Sequence, residues 1–488
     1  MHDAVNGLLT WIVALTQVLV AAYASGHAIL HKRDVRSAIG WVGLIWLVPY
    51  IGAMLYGLFG INRIRRRATE LRTGRRPPQL ADPPPVSSPL VRQNLPAHQH
   101  HLGAIGTLLD RIAPFPLTAG NRVRMFDNGS DAYAAMHAAI ASARHSVGLA
   151  TYIFDNDRCG RHFVQALASA RERGVDVRVL IDGAGAYYTY PAILGPLKRA
   201  GVPAVEFLPT LFPLHLAYAN LRSHRKILVV DGCTGFTGGM NIRDAHADET
   251  NPRTAIQDVH FQIEGPAVAH LETTFLDDWH FAAGDGAENP GWAAAPTPIA
   301  APITSATTLA RGIAGGPDEN FESIRWAILA ALSQAQQRIR IVTPYFVPDQ
   351  MLISSLILAA MRGVAIDIVV PEKNNLALVQ WASQAKAALL LARGCRIWRT
   401  PLPFDHSKLM TVDDAWTLIG SANWDQRSLR LNFEFDVECY DPALVGRIDR
   451  LIDRKLRTAR PWSLAEADGR SLAIKLRDGT AWLLSPYL

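Results

Sequence analysis

The chain has 488 residues, too many for one ordinary hydrophobic core, and 49% of them are hydrophobic, which predicts two similar domains with apolar appendages. Its formal net charge is +6, but residues 1–76 hold ten Lys and Arg against three Asp and Glu, a balance of +7, so the remaining residues sum to −1. The larger part of the chain therefore lacks the basic excess of a nucleic-acid-binding protein, and four cysteines without C-x-x-C spacing do not indicate a disulfide framework or zinc site.

Two apolar stretches near the N-terminus predict a pair of transmembrane helices, at about residues 8–26 and 38–59. The second has 22 residues without a charge, enough to cross the hydrocarbon core, and we expect it to be the stronger span although it contains Pro49. The first is shorter, and a signal peptide is the alternative, but Met1–Gly7 has no Lys or Arg. Lys and Arg are more numerous after the second span than between the spans, which predicts a cytoplasmic location for the rest of the chain.

Composition then divides the chain into further parts. We predict a membrane hairpin at residues 1–67, a Pro-rich linker at 68–103, a first lobe at 104–285, an inter-lobe linker at 286–317 and a second lobe at 318–488. The first linker has three consecutive prolines and predicts an extended tether. Its histidines, His98, His100 and His101, are expected to be solvated rather than to bind a metal ion.

The two lobes repeat one order of elements. In each, a helix leads to an apolar strand, a second helix ends at an Arg-Gly-Val step, and another strand follows. The predicted elements are the helices Ala132–Ala143 and Phe163–Arg173 with the strands Val147–Phe154 and Val175–Ile181, and then the helices Ser323–Gln336 and Leu352–Arg362 with the strands Ile339–Phe346 and Val364–Val370. This alternation predicts an α/β fold of two lobes, each a sheet flanked by helices, related by a pseudo-twofold axis.

Each lobe then reaches a His-x-Lys-x-x-x-x-Asp motif. The two copies are His224, Lys226 and Asp231, and His406, Lys408 and Asp413. Side chains two apart in a strand share a face, so each Lys lies beside its His. Lys can neutralise phosphate oxygens while imidazole attacks phosphorus or moves a proton, and the neighbouring ammonium disfavours a metal ion. The doubled motif therefore predicts a phosphodiester-transferring enzyme with both motifs in one cleft.

Other polar residues extend this predicted site. Asn241, Ser421 and Asn423 follow the motifs in equivalent turns and can donate hydrogen bonds to the same phosphate oxygens. Asp231 and Asp413 precede turns, which leaves two roles open for them, direct chemistry as motif acids or bracing of the turn.

These features resemble the phospholipase D superfamily and, within it, the bacterial cardiolipin synthases. The resemblance covers nearly the whole chain. Besides the doubled motif, it rests on Leu47-Val-Pro-Tyr-Ile-Gly, Leu221-Arg-Ser-His-Arg-Lys-Ile, Gly239-Met-Asn-Ile, Thr343-Pro-Tyr-Phe-Val-Pro-Asp, Gly420-Ser-Ala-Asn and Arg427-Ser-Leu-Arg-Leu-Asn-Phe-Glu.

The resemblance implies a ping-pong transfer without metal ion or cofactor. His224 would take a phosphatidyl group from phosphatidylglycerol, and His406 would act as general acid and then base while a second phosphatidylglycerol attacks to give cardiolipin. An acid from each lobe would orient the histidine of the other, Glu434 for His224 and Asp258 for His406. The implied partners are phosphatidylglycerol, other membrane phospholipids and the lipid bilayer, not nucleic acid. The implied location is the bacterial inner membrane, as a multi-pass protein with cytoplasmic catalytic lobes.

Two departures from the family pattern leave headgroup and acceptor preference open. Ala150 stands where these synthases often have an acid, and the second motif reads Asp405-His-Ser-Lys. Three other functions also remain open. Water could replace the acceptor, which gives a phospholipase D that produces phosphatidic acid. A nuclease of the superfamily is disfavoured by the near-neutral lobes, and a membrane scaffold with a decayed site is disfavoured by the six intact motif residues.

Overall fold

The computed structural model describes residues 2–32, 35–60, 87–209, 221–247, 251–284, 308–317 and 320–486. The chain divides into two compact units, Met1–Leu71 and Arg72–Leu488.

The N-terminal unit consists of apolar helices. Their bounds are His2–His31, Val35–Leu47, Pro49–Leu55 and a π-helical turn at Tyr56–Gly60. The first contains Leu9–His31, which among the described residues is the one helix long and apolar enough to cross a membrane. Most of its large apolar side chains are exposed, unlike those of a helix in the core of a soluble protein.

The ranking of the two predicted spans is therefore wrong. The stretch predicted to be stronger is interrupted at Val48, where the backbone leaves the helical region and a new helix begins with Pro49 at its first position. Proline has no N–H to donate to the preceding turn, so the helix cannot continue through it without a break. The broken segment packs back on the first helix, with Ile45 and Tyr56 buried against the alanine face at Ala24 and Ala28.

The first half of the larger unit alternates strands and helices. Its strands are β1 Thr118–Phe126, β2 Ser146–Thr151, β3 Asp176–Asp182, β4 Ala204–Phe207, β5 Ile227–Val230, β6 Thr234–Gly238, β7 Ile256–Gln257 and β8 His260–Glu264. Its helices are Gly129–Ser142, Arg158–Glu172, Leu194–Arg199, Asp244–Ala247 and Val268–Ala283, with a 3-10 turn at Gly185–Tyr187.

The second half repeats this plan. Its strands are β9 Thr308–Gly315, β10 Arg338–Val342, β11 Phe346–Val347, β12 Ala365–Pro371, β13 Arg396–Thr400, β14 Phe404–Asp405, β15 Leu409–Val412, β16 Trp416–Gly420, β17 Trp424–Asp425, β18 Glu434–Tyr440 and β19 Arg460–Pro461. Its helices are Ser323–Gln334, Gln350–Met361, Ala377–Gln384, Ala387–Leu391, Gln426–Arg430, Pro442–Thr458, Leu464–Asp468 and Leu472–Leu483.

Both halves join in one mixed sheet of 15 strands. Its order is β19-β13-β12-β10-β15-β16-β18-β9-β1-β8-β6-β5-β2-β3-β4. Outward from the central antiparallel pair of β1 and β9, each half follows the same plan, because β8, β6, β5, β2, β3 and β4 correspond to β18, β16, β15, β10, β12 and β13. The predicted α/β fold with two equivalent lobes is confirmed. A core cluster holds residues of both halves, among them Phe261 and Phe435, so the lobes are packed into one body.

The predicted inter-lobe linker, residues 286–317, extends too far. Its last part forms β9, a wholly buried strand at the centre of the sheet that pairs with β1 and β18. The sequence there is rich in Ala and Gly, which are poor strand formers. A glycine is needed at position 312, because a Cβ there would lie 2.6 Å from Phe435 Cζ and 2.9 Å from His270 Cβ. Residues 285–307 lie outside the described residues.

The Pro-rich linker predicted at 68–103 is also too long, and the first lobe predicted from 104 begins later. Residues 61–86 lie outside the described residues, but Ser87–Asn94, a 3-10 turn at Ala97–Leu102 and Gly103–Leu109 are helical. Their apolar side chains belong to the core of the second lobe, together with Ile324 and Ile328. The order of the sequence does not indicate this packing, because the segment precedes the first lobe but packs on the second.

Candidate active site

The two motif histidines lie in short extended segments immediately before β5 and β15. Each is held by the backbone of the other half. The His224 N–H donates to the Phe433 carbonyl at 2.8 Å, and the His406 N–H donates to the Gln257 carbonyl at 2.7 Å. The residue after each of these carbonyls is an acid, so the same backbone contacts bring each histidine beside a carboxylate of the opposite lobe.

These carboxylates hold the two imidazoles. His224 Nδ1 lies 3.0 Å from Glu434 Oε2 and 3.1 Å from the Ser421 carbonyl, and His406 Nδ1 lies 2.7 Å from Asp258 Oδ2. A carboxylate accepts a hydrogen, so we assign the ring proton to Nδ1 in both, which leaves a lone pair on Nε2. The two ring centroids are 6.5 Å apart, a separation that one phosphorus centre can bridge. The structure thus brings together the pairs that the resemblance implies.

Each motif lysine lies beside its own histidine. Lys226 Nζ donates to the His224 carbonyl at 2.7 Å, and Lys408 Nζ likewise donates to the His406 carbonyl. Lys408 Nζ is also 3.0 Å from His406 Nδ1. That nitrogen cannot accept from the lysine while it donates to Asp258, and we assign its hydrogen to Asp258 because this contact is shorter and joins a donor to a carboxylate. The two ammonium groups are therefore fixed by backbone carbonyls at the sides of the cleft.

Burial controls the charge of the site. It lowers the pKa of both histidines well below the usual value, and Lys226 and Lys408 lower it further by repulsion. Burial also lowers the pKa of Lys226 to about 7 and that of Lys408 to about 8, and raises the pKa of Glu434 to about 7. Both rings are thus neutral near pH 7, the form in which Nε2 can attack. A phosphodiester anion between the lysines would stabilise their charge and favour an imidazolium beside it.

An aromatic side chain covers each histidine. Tyr152 lies edge-on to His224, with ring centroids 5.2 Å apart, and Tyr345 lies edge-on to His406 at 6.2 Å. Lys226 Nζ is 5.5 Å from the centre of the Tyr152 ring. Such rings restrict the rotation of the imidazoles and exclude water from them. Tyr152 immediately follows β2, whereas Tyr345 is the third residue after the end of β10, so the repeat does not mark the two tyrosines as equivalent.

The amide and hydroxyl side chains have more specific roles than predicted. Ser421 was expected to bind phosphate oxygens, but its hydroxyl donates to Glu434 Oε2 at 2.6 Å. Asn241 Oδ1 accepts from the Ile153 N–H at 3.1 Å, which ties its turn to the end of β2. Asn423 Nδ2 donates to a neighbouring serine, and its buried Oδ1 has no partner among the described residues. Of the three, Ser421 is therefore the one that contacts the carboxylate beside His224.

Glu434 has a further partner that the sequence analysis missed. Asn432 Nδ2 donates to its Oε1 at 3.2 Å, so both carboxylate oxygens are hydrogen bonded. A third histidine, His246, has its ring 6.4 Å from that of His406, and burial lowers its pKa to about 3. No repeat marks Asn432 or His246, which explains why spacing did not reveal them.

The motif acids Asp231 and Asp413 each accept three backbone N–H groups at a turn. Asp231 accepts the backbone N–H groups of Arg144, His145 and Ser146 at 2.7 to 2.9 Å. Asp413 accepts those of Gln336, Gln337 and Arg338 at 2.8 to 2.9 Å. Each lies seven residues of extended chain beyond its histidine, a distance of about 20 Å. Of the two roles left open for Asp231 and Asp413, these contacts support bracing of the turn.

Asp413 has one more partner, from outside the repeat. His101 Nε2 lies 2.7 Å from Asp413 Oδ2, so the expectation that this histidine is solvated is wrong. His100 Nε2 is 3.0 Å from the Leu95 carbonyl, whereas His98 is exposed. The preceding prolines led to the prediction of an extended tether, whereas this segment folds on the second lobe.

The departures from the family pattern have structural partners. Asp405 pairs with Lys455 at 2.7 Å, and Ser407 Oγ donates to Asp405 Oδ1 at 2.7 Å. Ala150 lies within β2 and is buried. Asp405 and Ser407 therefore support the fold around the second motif, whereas Ala150 pairs with Ile227 beside the first motif.

Comparison with known proteins places this geometry in a family. The model described as "Cardiolipin synthase, PLD-like domain" matches residues 136–279 and 328–456, which is more than half of the chain. The chain belongs to this cardiolipin synthase family. A second model, "Phospholipase_D-nuclease N-terminal", matches residues 10–60.

Curated cardiolipin synthases are similar to the chain over its whole length. The cardiolipin synthase of Geobacillus kaustophilus is 29% identical over 485 residues, which cover 99% of this chain and 94% of that protein. Cardiolipin synthase 1 of Bacillus anthracis is 31% identical over 505 residues, and these cover 100% and 96% of the two chains.

The fold of the family also has a solved neighbour. The phosphatidylserine synthase of Haemophilus influenzae superposes with a TM-score of 0.60 at 15% identity and covers 78% of this chain and 98% of its own. The chain is thus an enzyme of the phosphatidyltransferase type with a phospholipase D fold, and its apolar N-terminal helix associates it with the membrane.

Proposed function

We propose that this chain synthesises cardiolipin by transferring a phosphatidyl group from one phosphatidylglycerol to another. The observation that carries the proposal is the pair of imidazoles, His224 and His406, with ring centroids 6.5 Å apart and each held by a buried acid of the other half. Two equivalent histidines on one cleft suit a reaction with two displacements at a single phosphorus, because one can carry the covalent intermediate while the other moves the proton.

In the first displacement, His224 Nε2 attacks the phosphorus of phosphatidylglycerol. A P–N bond forms and the P–O bond to the headgroup glycerol breaks. His406, which becomes protonated when the bound phosphodiester stabilises the imidazolium, gives its proton to the leaving glycerol oxygen. Lys226 and Lys408 neutralise the non-bridging oxygens, and Glu434 stabilises the charge that develops on the His224 ring.

In the second displacement, a headgroup hydroxyl of another phosphatidylglycerol attacks the same phosphorus. His406 is now neutral and takes the hydroxyl proton, so it serves as a base. The P–N bond breaks, His224 is restored and cardiolipin leaves. Asp258 keeps the His406 proton on Nδ1, so that Nε2 is the atom that exchanges protons in both steps.

We place the chain in the bacterial inner membrane as a multi-pass protein with cytoplasmic catalytic lobes. Leu9–His31 can cross the bilayer by its length and composition. The apolar segments Val35–Leu47 and Pro49–Leu55 pack on it and would complete a hairpin. The arginines that follow them favour the cytoplasmic side. The catalytic lobes would then meet phosphatidylglycerol in the bilayer as their substrate. We do not expect nucleic acid to be a partner.

The test is product analysis with the full chain in phosphatidylglycerol vesicles. We expect cardiolipin and free glycerol in equal amounts by mass spectrometry, and neither product from His224→Ala. Phosphatidic acid without cardiolipin would contradict the synthase and favour hydrolysis. Adding phosphatidylethanolamine in a second series reports whether another alcohol serves as acceptor.

A further inference from the structure

Two neighbouring helices, Ala377–Gln384 and Leu472–Leu483, carry leucines on their outer sides. Leu472, Leu476 and Leu483 are 72%, 62% and 70% exposed. At about 100° per residue they fall in one narrow sector of their helix, away from the buried side. Leu376 and Leu378 are 50% and 45% exposed at the start of the other helix. We call these five residues the leucine surface.

Aromatic and basic side chains accompany the leucine surface. Lys386 Nζ lies 4.2 Å from the centre of the Trp482 ring, and Arg477 Cζ lies 4.7 Å from that of Trp381. Residues 377–393 contain two basic residues and no Asp or Glu. Single exposed leucines are ordinary on a soluble protein, but a group of them beside Trp, Lys and Arg is typical of a helix that lies in a membrane interface. The positive balance of residues 377–393 favours anionic headgroups, whereas Lys475 and Arg477 of the other helix are paired with Asp468 and Asp478.

The leucine surface connects directly to the active site. Tyr345, which covers His406, donates from its Oη to Asn375 Oδ1 at 2.9 Å. Asn375 immediately precedes Leu376. The Tyr345 ring also packs, with Trp482, on the small apolar cluster that seats both helices. Tyr345 and Asn375 therefore link the second motif histidine to the leucine surface.

We propose that the leucine surface docks on an anionic bilayer and holds the His406 side of the cleft at the level of the lipid headgroups. The proposal rests on the proposed function, since a lipid substrate explains why such a surface adjoins the site. A substrate in the bilayer would then reach His406 while its acyl chains stay in the hydrocarbon phase. A water-soluble substrate would not need this surface.

The experiment compares a substrate held in the bilayer with a water-soluble one. Full-length protein in nanodiscs is given either long-chain phosphatidylglycerol within the bilayer or monomeric dihexanoyl phosphatidylglycerol added to phosphatidylcholine discs. Leu472→Asp combined with Leu476→Asp should lower turnover of the bilayer substrate about tenfold, because it removes apolar insertion and adds repulsion from anionic lipid, and should leave the monomeric substrate unchanged. Leu358→Asp is the matched control, since Leu358 is 61% exposed on the helix Gln350–Met361, and should change neither rate. Unchanged bilayer turnover, or an equal loss with both substrates, would overturn the proposal.

A second measurement keeps the native leucines around the probe. Cys159 and Cys233 are replaced by Ser, because they are the cysteines that are not buried, and a fluorophore is attached at Leu476→Cys or Leu358→Cys. Lipids with a spin label near the headgroup should quench the probe at 476 strongly and the probe at 358 weakly. Equal quenching at the two positions would refute docking. This result does not depend on turnover, so an absence of cardiolipin synthesis would refute the proposed function without deciding the docking.

Discussion

Replacing Glu434 by Gln tests how the buried acid controls His224. The carboxylate accepts from Ser421 Oγ at 2.6 Å, from Asn432 Nδ2 at 3.2 Å and from His224 Nδ1 at 3.0 Å, so both of its oxygens are used as acceptors. An amide of the same size has one oxygen and one NH2 group. When the NH2 faces His224, Nδ1 must accept and the ring proton moves to Nε2, which removes the nucleophilic lone pair.

We expect kcat of Glu434→Gln to fall by about 10³ to 10⁴, equivalent to about 4–5 kcal/mol in the barrier. Stability should not fall with it. Burial raises the pKa of Glu434 from 4.5 to about 7, so the folded state loses stability as pH rises between these two values. At pH 8 that loss is complete, and the neutral amide should melt at or above the wild-type temperature.

The assay is single-turnover formation of cardiolipin by mass spectrometry, paired with thermal unfolding at pH 8. Glu438→Gln is the matched control, because Glu438 is equally buried on β18 but pairs with Arg311 at 2.6 Å. It should lower the melting temperature and keep kcat per folded molecule. A Glu434→Gln enzyme within threefold of wild-type kcat would refute the role of this carboxylate.

Three further changes test other parts of the site. Burial lowers the pKa of Lys226 to about 7 and that of Lys408 to about 8, so kcat/KM should fall about tenfold per pH unit above the first value and more steeply above the second, as the phosphate loses its cations. Lys408→Arg should remove the steeper part and leave the first limb in place, and an unchanged steep part would contradict the assignment. Asp413→Ala should lower the free energy of unfolding in urea by about 3 kcal/mol, because three backbone N–H groups lose their acceptor, and Asp231→Ala should do the same. Both variants should retain kcat per folded molecule. A selective loss of kcat would show that these acids take part in the chemistry. Gly239→Ala places a Cβ against Asp258 Oδ1 and should displace the carboxylate that holds His406. We expect kcat to fall at least about 100-fold while the circular dichroism spectrum stays native. Full activity would mean that His406 does not need this carboxylate.

Spacing alone predicted the parts of the fold that repeat. The helix–strand units around Val147 and Ile339 and the two motifs recur in the same order, because each lobe must bury equivalent faces of the same sheet. The contacts between lobes have no such local period. His224 and Glu434 are 210 residues apart, and His406 and Asp258 are 148 apart, so only the family resemblance indicated these pairs.

The errors have physical causes that a single sequence does not display. β9 has the composition of a linker because Phe435 and His270 leave no room for side chains at Gly312. The second apolar stretch has the composition of a span, but Pro49 ends its helix, and composition does not report that break. The segment with His101 has the prolines of a tether, and its packing on Asp413 depends on a lobe more than 300 residues away.

The covalent intermediate on His224 is the most direct test of the account. His406→Ala lacks the general acid, but a phosphatidyl donor with a p-nitrophenol leaving group does not need one. The account predicts a burst of one p-nitrophenol per chain, with the phosphatidyl group mapped to His224 by tandem mass spectrometry, and no burst when His224 is also replaced. A phosphatidyl adduct on any other residue, or a burst that survives without His224, would contradict it.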